Sequence, residues 1–177
     1  MYQPQLDLID GYLLDTPIAS ALFDAFDAKH ETAVEHLDAL GEGLVFMSTV
    51  TLGEIEYGVS VYPSVSDDRL SDIREAARMT LELLTPDREV AITYGQIRAS
   101  IFKTYGRKSE RGRVRTRYPE RLVEESSGLS LGIQENDLWI AATAVNRNLV
   151  LVTADHAGGM TRILDTAGYR ARVQYWW

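Results

Sequence analysis

The sequence predicts an α/β protein with a parallel central sheet covered by helices on both faces. Two observations predict it. Short, wholly apolar runs stand at 11–14, 44–47 and 149–152, as expected of strands buried on both sides. These runs alternate with segments whose apolar residues recur at helical spacing. No internal repeat or domain boundary stands out, and 177 residues suit one domain spanning 1–177.

The first run, 11–14, ends at Asp15. Pro17 fits the first turn of the next helix, where its missing N–H is not needed. That helix continues through Ile18, Ala21, Leu22 and Phe26. A second helix is predicted over 31–40, with Ala33, Val34, Leu37 and Leu40 on one face and Gly41 and Gly43 ending it. The strand 44–47 leads to Thr49 or Thr51 as caps of a helix that carries Leu52, Ile55 and Val59 inward and Glu54 near its start. An amphipathic helix is predicted over 67–84, through Leu70, Ile73, Ala77, Leu81 and Leu84. Thr85 and Pro86 supply a cap and first-turn proline for a helix to about Tyr105.

Residues 107–132 lack apolar periodicity and are predicted to form a long mobile loop or insertion. Helical spacing returns at Leu138, Ile140, Ala141, Ala144 and Val145. The strand at 149–152 is followed by Thr153, Ala154 and Asp155. Gly158 and Gly159 lead into a helix through Met160, Ile163 and Leu164, and a last strand covers 171–175.

There are no cysteines, which excludes disulfides, thiolate metal sites and thiol catalysis. No apolar run approaches the ~20 residues of a membrane helix. Asp7 and Asp10 stand where a signal peptide would carry bases, so a cytoplasmic protein, neither secreted nor membrane-bound, is expected. The net charge of −8 argues against nucleic-acid binding until its distribution is considered. Between Lys103 and Arg121, eight bases face two acids, a local +6 that leaves −14 on the remainder. Such polarity concerns partners rather than fold. Arg111, Arg113, Arg115 and Arg117 are the candidate phosphate contacts; the stretch could also dock on the protein's own acidic surface or be a solvated tether.

In open α/β sheets, ligands gather beyond the carboxyl ends of the strands. Asp15 and Asp155 follow two predicted strands. Asp137 and Glu54 fall in the first turns of helices, where the helix dipole favours anions. Each of these could be a plain cap or dipole partner. Asp15 is the exception, because a carboxylate against a buried strand end is costly without a partner. Should the four converge, they repel unless a cation neutralises them. Oxygen ligands suit Mg²⁺ or Mn²⁺, and such ions support phosphodiester hydrolysis.

Five segments, taken in order, carry a resemblance: LLDT at 13–16, TVTLGEIEYG at 49–58, YGQIRA at 94–99, NDLWIAATA at 136–144 and LVLVTAD at 149–155. Together they resemble the PIN-domain family, in particular the VapC-type toxin ribonucleases of toxin–antitoxin systems. The resemblance implies a PIN-like three-layer α/β/α fold, divalent-metal-dependent endoribonuclease activity, an RNA substrate, homodimers and a cognate antitoxin. By the same resemblance, Asp15 and Asp137 match the metal-binding aspartates, Glu54 and Asp155 complete the acidic quartet, and Thr153 matches the hydroxyl residue two positions before the last acid. Thr153 can equally be a plain strand-end threonine. Two departures are visible. Pro17 stands where the family often has Asn, and the basic stretch appears where many relatives connect almost directly. A PIN-like module binding RNA or protein with weakened catalysis is the alternative function. A phosphatase using Asp15 as nucleophile would want a second Asp where Pro17 stands.

His156 beside Asp155 could shuttle protons or be incidental, and His30 and His36 are expected to be solvated. Trp139 is expected in the core, and Trp176 and Trp177 at a sheet edge or interface.

Overall fold

Five parallel strands, β1 (Tyr12–Leu14), β2 (Val45–Ser48), β3 (Glu82–Leu84), β4 (Val150–Thr153) and β5 (Val173–Tyr175), form one sheet in the order β3-β2-β1-β4-β5. The computed structural model describes residues 10–61, 67–79, 81–106 and 118–177. Arg111, Arg113, Arg115 and Arg117 lie outside the described residues.

Helices connect the strands: α1 (Thr16–Phe23) and α2 (His30–Ala39), α3 (Thr49–Val61) and α4 (Asp67–Met79), α5 (Arg88–Tyr105) and α6 (Glu135–Asn146), and α7 (Gly159–Thr166). Strand side chains alternate between faces, so consecutive apolar residues feed two cores. Leu13 and Leu151 pack with Val90, Ile97 and Ile101 of α5, Leu138 and Ile140 of α6 and Ile163 of α7. Leu14, Met47 and Val152 pack on the other face with Ile18 and Leu22 of α1, Ala33 of α2, Ile55 of α3 and Ile73 of α4. The result is the three-layer α/β/α architecture. No described helix is long and apolar enough to cross a membrane.

The structure corrects the predicted helix over 67–84. Helix α4 ends at Met79, and residues 82–84 form β3, paired with β2 through Phe46↔Glu82, Met47↔Leu83 and Ser48↔Leu84. Leu81 and Leu84 continue the helical spacing, but backbone pairing at the sheet edge decides the conformation. The caps also differ. Asp87, not Thr85, caps α5 by accepting from the Val90 N–H at 3.0 Å. Ser48, rather than Thr49 or Thr51, accepts from the Val50 N–H at 3.1 Å as α3 begins.

From Tyr118 onward the predicted mobile loop is anchored. A 3-10 turn at Pro119–Arg121 precedes an antiparallel clip in which Val123 pairs with Ser130. Leu122, Leu131 and Ile133 are buried in the α5–α6–α7 core. Isolated core contacts of this kind leave no periodic trace in a sequence. Gly132, with φ +71°, lies so close to α7 that a Cβ on Gly159 would stand 2.1 Å from its carbonyl oxygen. The backbone crossing therefore requires Gly159 to lack a side chain.

Trp176, which follows β5, is buried in the core cluster that contains Ile18, Leu22 and Ala33 and stacks on His36 at 5.2 Å between ring centroids. His30 Nδ1 meets the Ala21 carbonyl at 3.0 Å. Neither histidine is simply solvated. Trp139 is half-buried and lies flat on Tyr94, 3.9 Å between centroids.

Candidate active site

The strand order reverses at the centre of the sheet: β1 leads toward β2 and β3 on one side, and β4 toward β5 on the other. A crevice opens beyond the carboxyl ends of strands at such a reversal. Asp15 follows β1 directly, and Asp155 lies two residues past β4.

The register places Thr153 beside Asp15. Leu14 pairs with Val152, so the next residue of each strand stands level with the other. The Asp15 N–H donates to the Val152 carbonyl at 2.9 Å. The Thr153 hydroxyl, fully buried, donates to Asp15 Oδ2 at 2.7 Å and accepts from the Asp155 N–H at 3.1 Å. The Thr16 N–H donates to Asp15 Oδ1 at 2.8 Å, so Asp15 caps α1. Asp15 is 4% exposed, and burial pushes its pKa up to about 6 against the hydrogen bonds from Thr153 and Thr16. The exposed Pro17 occupies the first turn of α1 without disturbing this cap.

Asp137 sits in the first turn of α6 within a capping box. Its Oδ2 accepts from the Gln134 N–H at 3.1 Å, and the Gln134 side chain accepts from its N–H. Burial pushes Asp137 up to about 7, opposed by the Gln134 bond and reinforced by the charges of Asp15, Glu54 and Asp155. Asp137 therefore lies within electrostatic reach of the other three acids.

Glu54 comes from α3 and accepts from the Thr16 hydroxyl and from Asn136 Nδ2, the latter at 2.9 Å. It thus ties α1, α3 and α6 together. The sequence pattern did not single out Thr16 or Asn136. Their signal was adjacency, since each neighbours an acid of the quartet. Asp155 accepts from the backbone N–H groups of Gly158 and Met160, the latter at 2.8 Å, so it also starts α7 as a local cap. His156 stacks on Tyr175 at 4.5 Å, and its Nε2 meets the Trp177 carbonyl at 2.6 Å.

Among the described residues, no three acidic or histidine side chains form a ready-made cage for an ion. The hydrogen bonds account for this: Glu54 and Asp155 are turned onto protein donors. Asp15 and Asp137 remain as buried or half-buried carboxylates, each raised first by burial and further by the charges of neighbouring acids. An all-oxygen pair of this kind fits a hard divalent cation that keeps several waters.

A groove of about 630 Å³ opens beside these acids, between α3 and the start of α6. Thr16, Glu54 and Asn136 line its acidic end, and Val50, Gly53, Tyr57 and Gln134 line the rest.

The chain belongs to the PIN-domain family, whose model matches residues 12–162. No curated protein matches it. Among solved structures it is similar to a chain of the DNA-bound VapBC from Salmonella typhimurium, at 23% identity and TM-score 0.62, covering 96% of this chain and 100% of that one. FitAcB from Neisseria gonorrhoeae is similar at 26% identity and TM-score 0.57, covering 87% and 93%. VapBC2 from Rickettsia felis, bound to a promoter DNA fragment, is similar at 18% identity and TM-score 0.59, covering 93% and 97%.

Proposed function

We propose that this chain is a metal-dependent endoribonuclease that hydrolyses RNA phosphodiesters, the toxin of a toxin–antitoxin pair. The observation that carries the reading is the convergence of charge at Asp137, which feels Asp15, Glu54 and Asp155. Family membership supports a nuclease, and the similar structures are VapBC and FitAB proteins, one described as a toxin–antitoxin system. A cognate antitoxin, a homodimer and a cytoplasmic location follow from the same reading.

Asp15 and Asp137 would hold Mg²⁺ or Mn²⁺. The bound ion would hold phosphate oxygens, make water more acidic and stabilise the leaving oxygen. Thr153 and the Thr16 N–H fix the orientation of the Asp15 carboxylate. Glu54, held by Thr16 and Asn136 at the acidic end of the groove, would act as the base toward water. Asp155 contributes through its charge while bonded to the start of α7.

The test joins a metal titration to a cleavage assay. Calorimetry should show Mg²⁺ or Mn²⁺ binding to the natural chain and much weaker binding to Asp137→Asn, and EDTA should abolish RNA cleavage. Equal metal affinity in the two proteins would sink the site assignment. A folded chain that cleaves no RNA with either ion would leave the weakened binding module as the better reading.

An acidic site repels RNA, and the only concentrated positive stretch runs through Arg111, Arg113, Arg115 and Arg117. Changing these four to Ala is expected to leave thermal stability nearly intact and to weaken RNA binding. The slope of log affinity against log salt should become shallower by roughly 0.7 for each phosphate no longer neutralised, the value for single strands. Unchanged affinity and slope, measured on a cleavage-silent background, would make the stretch a tether or a protein-contacting surface.

A further inference from the structure

The groove beside the acids is not explained by the acids. Its floor is one face of α3, where Val50, Gly53, Glu54 and Tyr57 recur at helical spacing. Tyr57 is 69% exposed, so its ring is open to a ligand in the groove. A side chain at Gly53 would meet nothing within 4 Å, so the floor next to the ring is open. Across the groove stand the amide side chains of Gln134 and Asn136.

Positions three apart on a helix place their Cβ atoms about 5–6 Å from each other. Tyr57 therefore stands one short step from Glu54, and Glu54 marks the acidic end of the same groove. That step is the reach from a phosphate through its sugar to the attached base. An aromatic face, an open floor, the Gln134 amide nitrogen and the Asn136 amide oxygen, the other polar atom of each amide being bonded within the protein, are the chemistry that recognises an unpaired nucleobase. The groove volume of about 630 Å³ falls within the range of small-ligand sites. A base inside a duplex is stacked on both faces and could not present itself to the ring.

We propose that Tyr57 and Gly53, with Gln134 and Asn136 opposite, form a subsite for an unpaired base adjoining the phosphate held at the acids. The subsite rests on the nuclease reading.

The experiment uses the full chain carrying Asp15→Asn, so that RNA stays intact, and a short single-stranded RNA with one fluorescent 2-aminopurine. Adding Tyr57→Ala is expected to weaken binding by roughly 10- to 100-fold, the range found when a base-stacking aromatic is removed. It should also abolish the quenching of the fluorescent base, while Tyr57→Phe retains both. Gly53→Leu, which favours the helix yet fills the floor, should weaken binding similarly. Duplex RNA of the same sequence should bind weakly to every variant. Equal binding and quenching with and without Tyr57→Ala overturns the subsite and leaves the nuclease reading standing. No binding by any variant, together with no cleavage by the natural chain, overturns both. Unchanged RNA binding with altered self-association would make Tyr57 a contact between copies and overturn the subsite.

Discussion

In the absence of divalent metal, the folded chain is expected to lose stability as pH rises from about 4 to about 7. Burial pushes Asp15 from 3.8 up to about 6. Burial, joined by the neighbouring acids, pushes Asp137 from 3.8 up to about 7. A carboxyl whose folded pKa exceeds its unfolded value holds its proton more tightly when folded. Its stabilising contribution is complete below the unfolded value and is lost as pH climbs through the folded one. The rise at Asp15 alone corresponds to about 3 kcal/mol, a substantial part of a domain's whole stability. Two other aspartates titrate in the opposite sense but in a lower window. At Asp24 burial is outweighed by bonds from Arg69 and the Phe26 N–H, and Asp87 is lowered by the Val90 N–H and by Arg147. Both act below their ordinary value, so they do not mask the loss near neutrality.

Melting temperatures in EDTA from pH 4 to 8 test this. The natural chain should melt lower as pH rises through 6 and 7. Asp137→Asn should flatten the profile and raise the melting temperature near pH 7.5. Added Mg²⁺ or Mn²⁺ should restore the natural chain at that pH and do much less for the variant. A flat metal-free profile for the natural chain would mean that the acids are better solvated than the structure places them.

The two central strands were legible because they are wholly buried. Leu13, Leu14, Leu151 and Val152 have no polar alternation to confuse with a helix of their short length. The acids could be placed because a charged residue after such a run must lie at a strand end. Strand β3 was not legible. Its three residues lie at the sheet edge, half-exposed, and Leu81 and Leu84 prolong the spacing of α4. Only the pairing with β2, which no local pattern encodes, makes it a strand. At the candidate site, the sequence singles out four acids but not the hydrogen bonds each of them makes. That Glu54 is bonded to Thr16 and Asn136 depends on the packing of α1, α3 and α6. That Asp155 doubles as a cap depends on Gly158, where a Cβ would stand 2.5 Å from its Oδ1. The open alternatives for Thr153 narrow in the same way: a hydroxyl on a wholly buried strand end finds its partner in Asp15.

The largest expected effect on activity is at Asp15, and Thr153 shows how that effect is transmitted. Asp15→Asn removes the charge that would hold the cation, which supplies several kcal/mol at the transition state. At 1.36 kcal/mol per factor of ten, cleavage should fall by about 10³-fold or more. The variant should remain folded, because it relieves a buried charge while keeping an oxygen for the Thr16 N–H. Thr153→Val keeps the shape of the side chain but removes the donor on Asp15 Oδ2 and the acceptor for the Asp155 N–H. Cleavage should fall by roughly 10-fold, the equivalent of one hydrogen bond to a charged group. The direction of the pH effect separates this from simple loss of structure. The Thr153 bond lowers the pKa of Asp15, so its removal raises that pKa further. Asp15 must be ionised to act, and the acid limb of the rate at limiting metal should therefore move to higher pH in Thr153→Val. Thr153→Ser, which keeps the hydroxyl, should return the limb toward its original position. A rate lowered equally at every pH, with Ser no better than Val, would reduce Thr153 to a packing residue of β4.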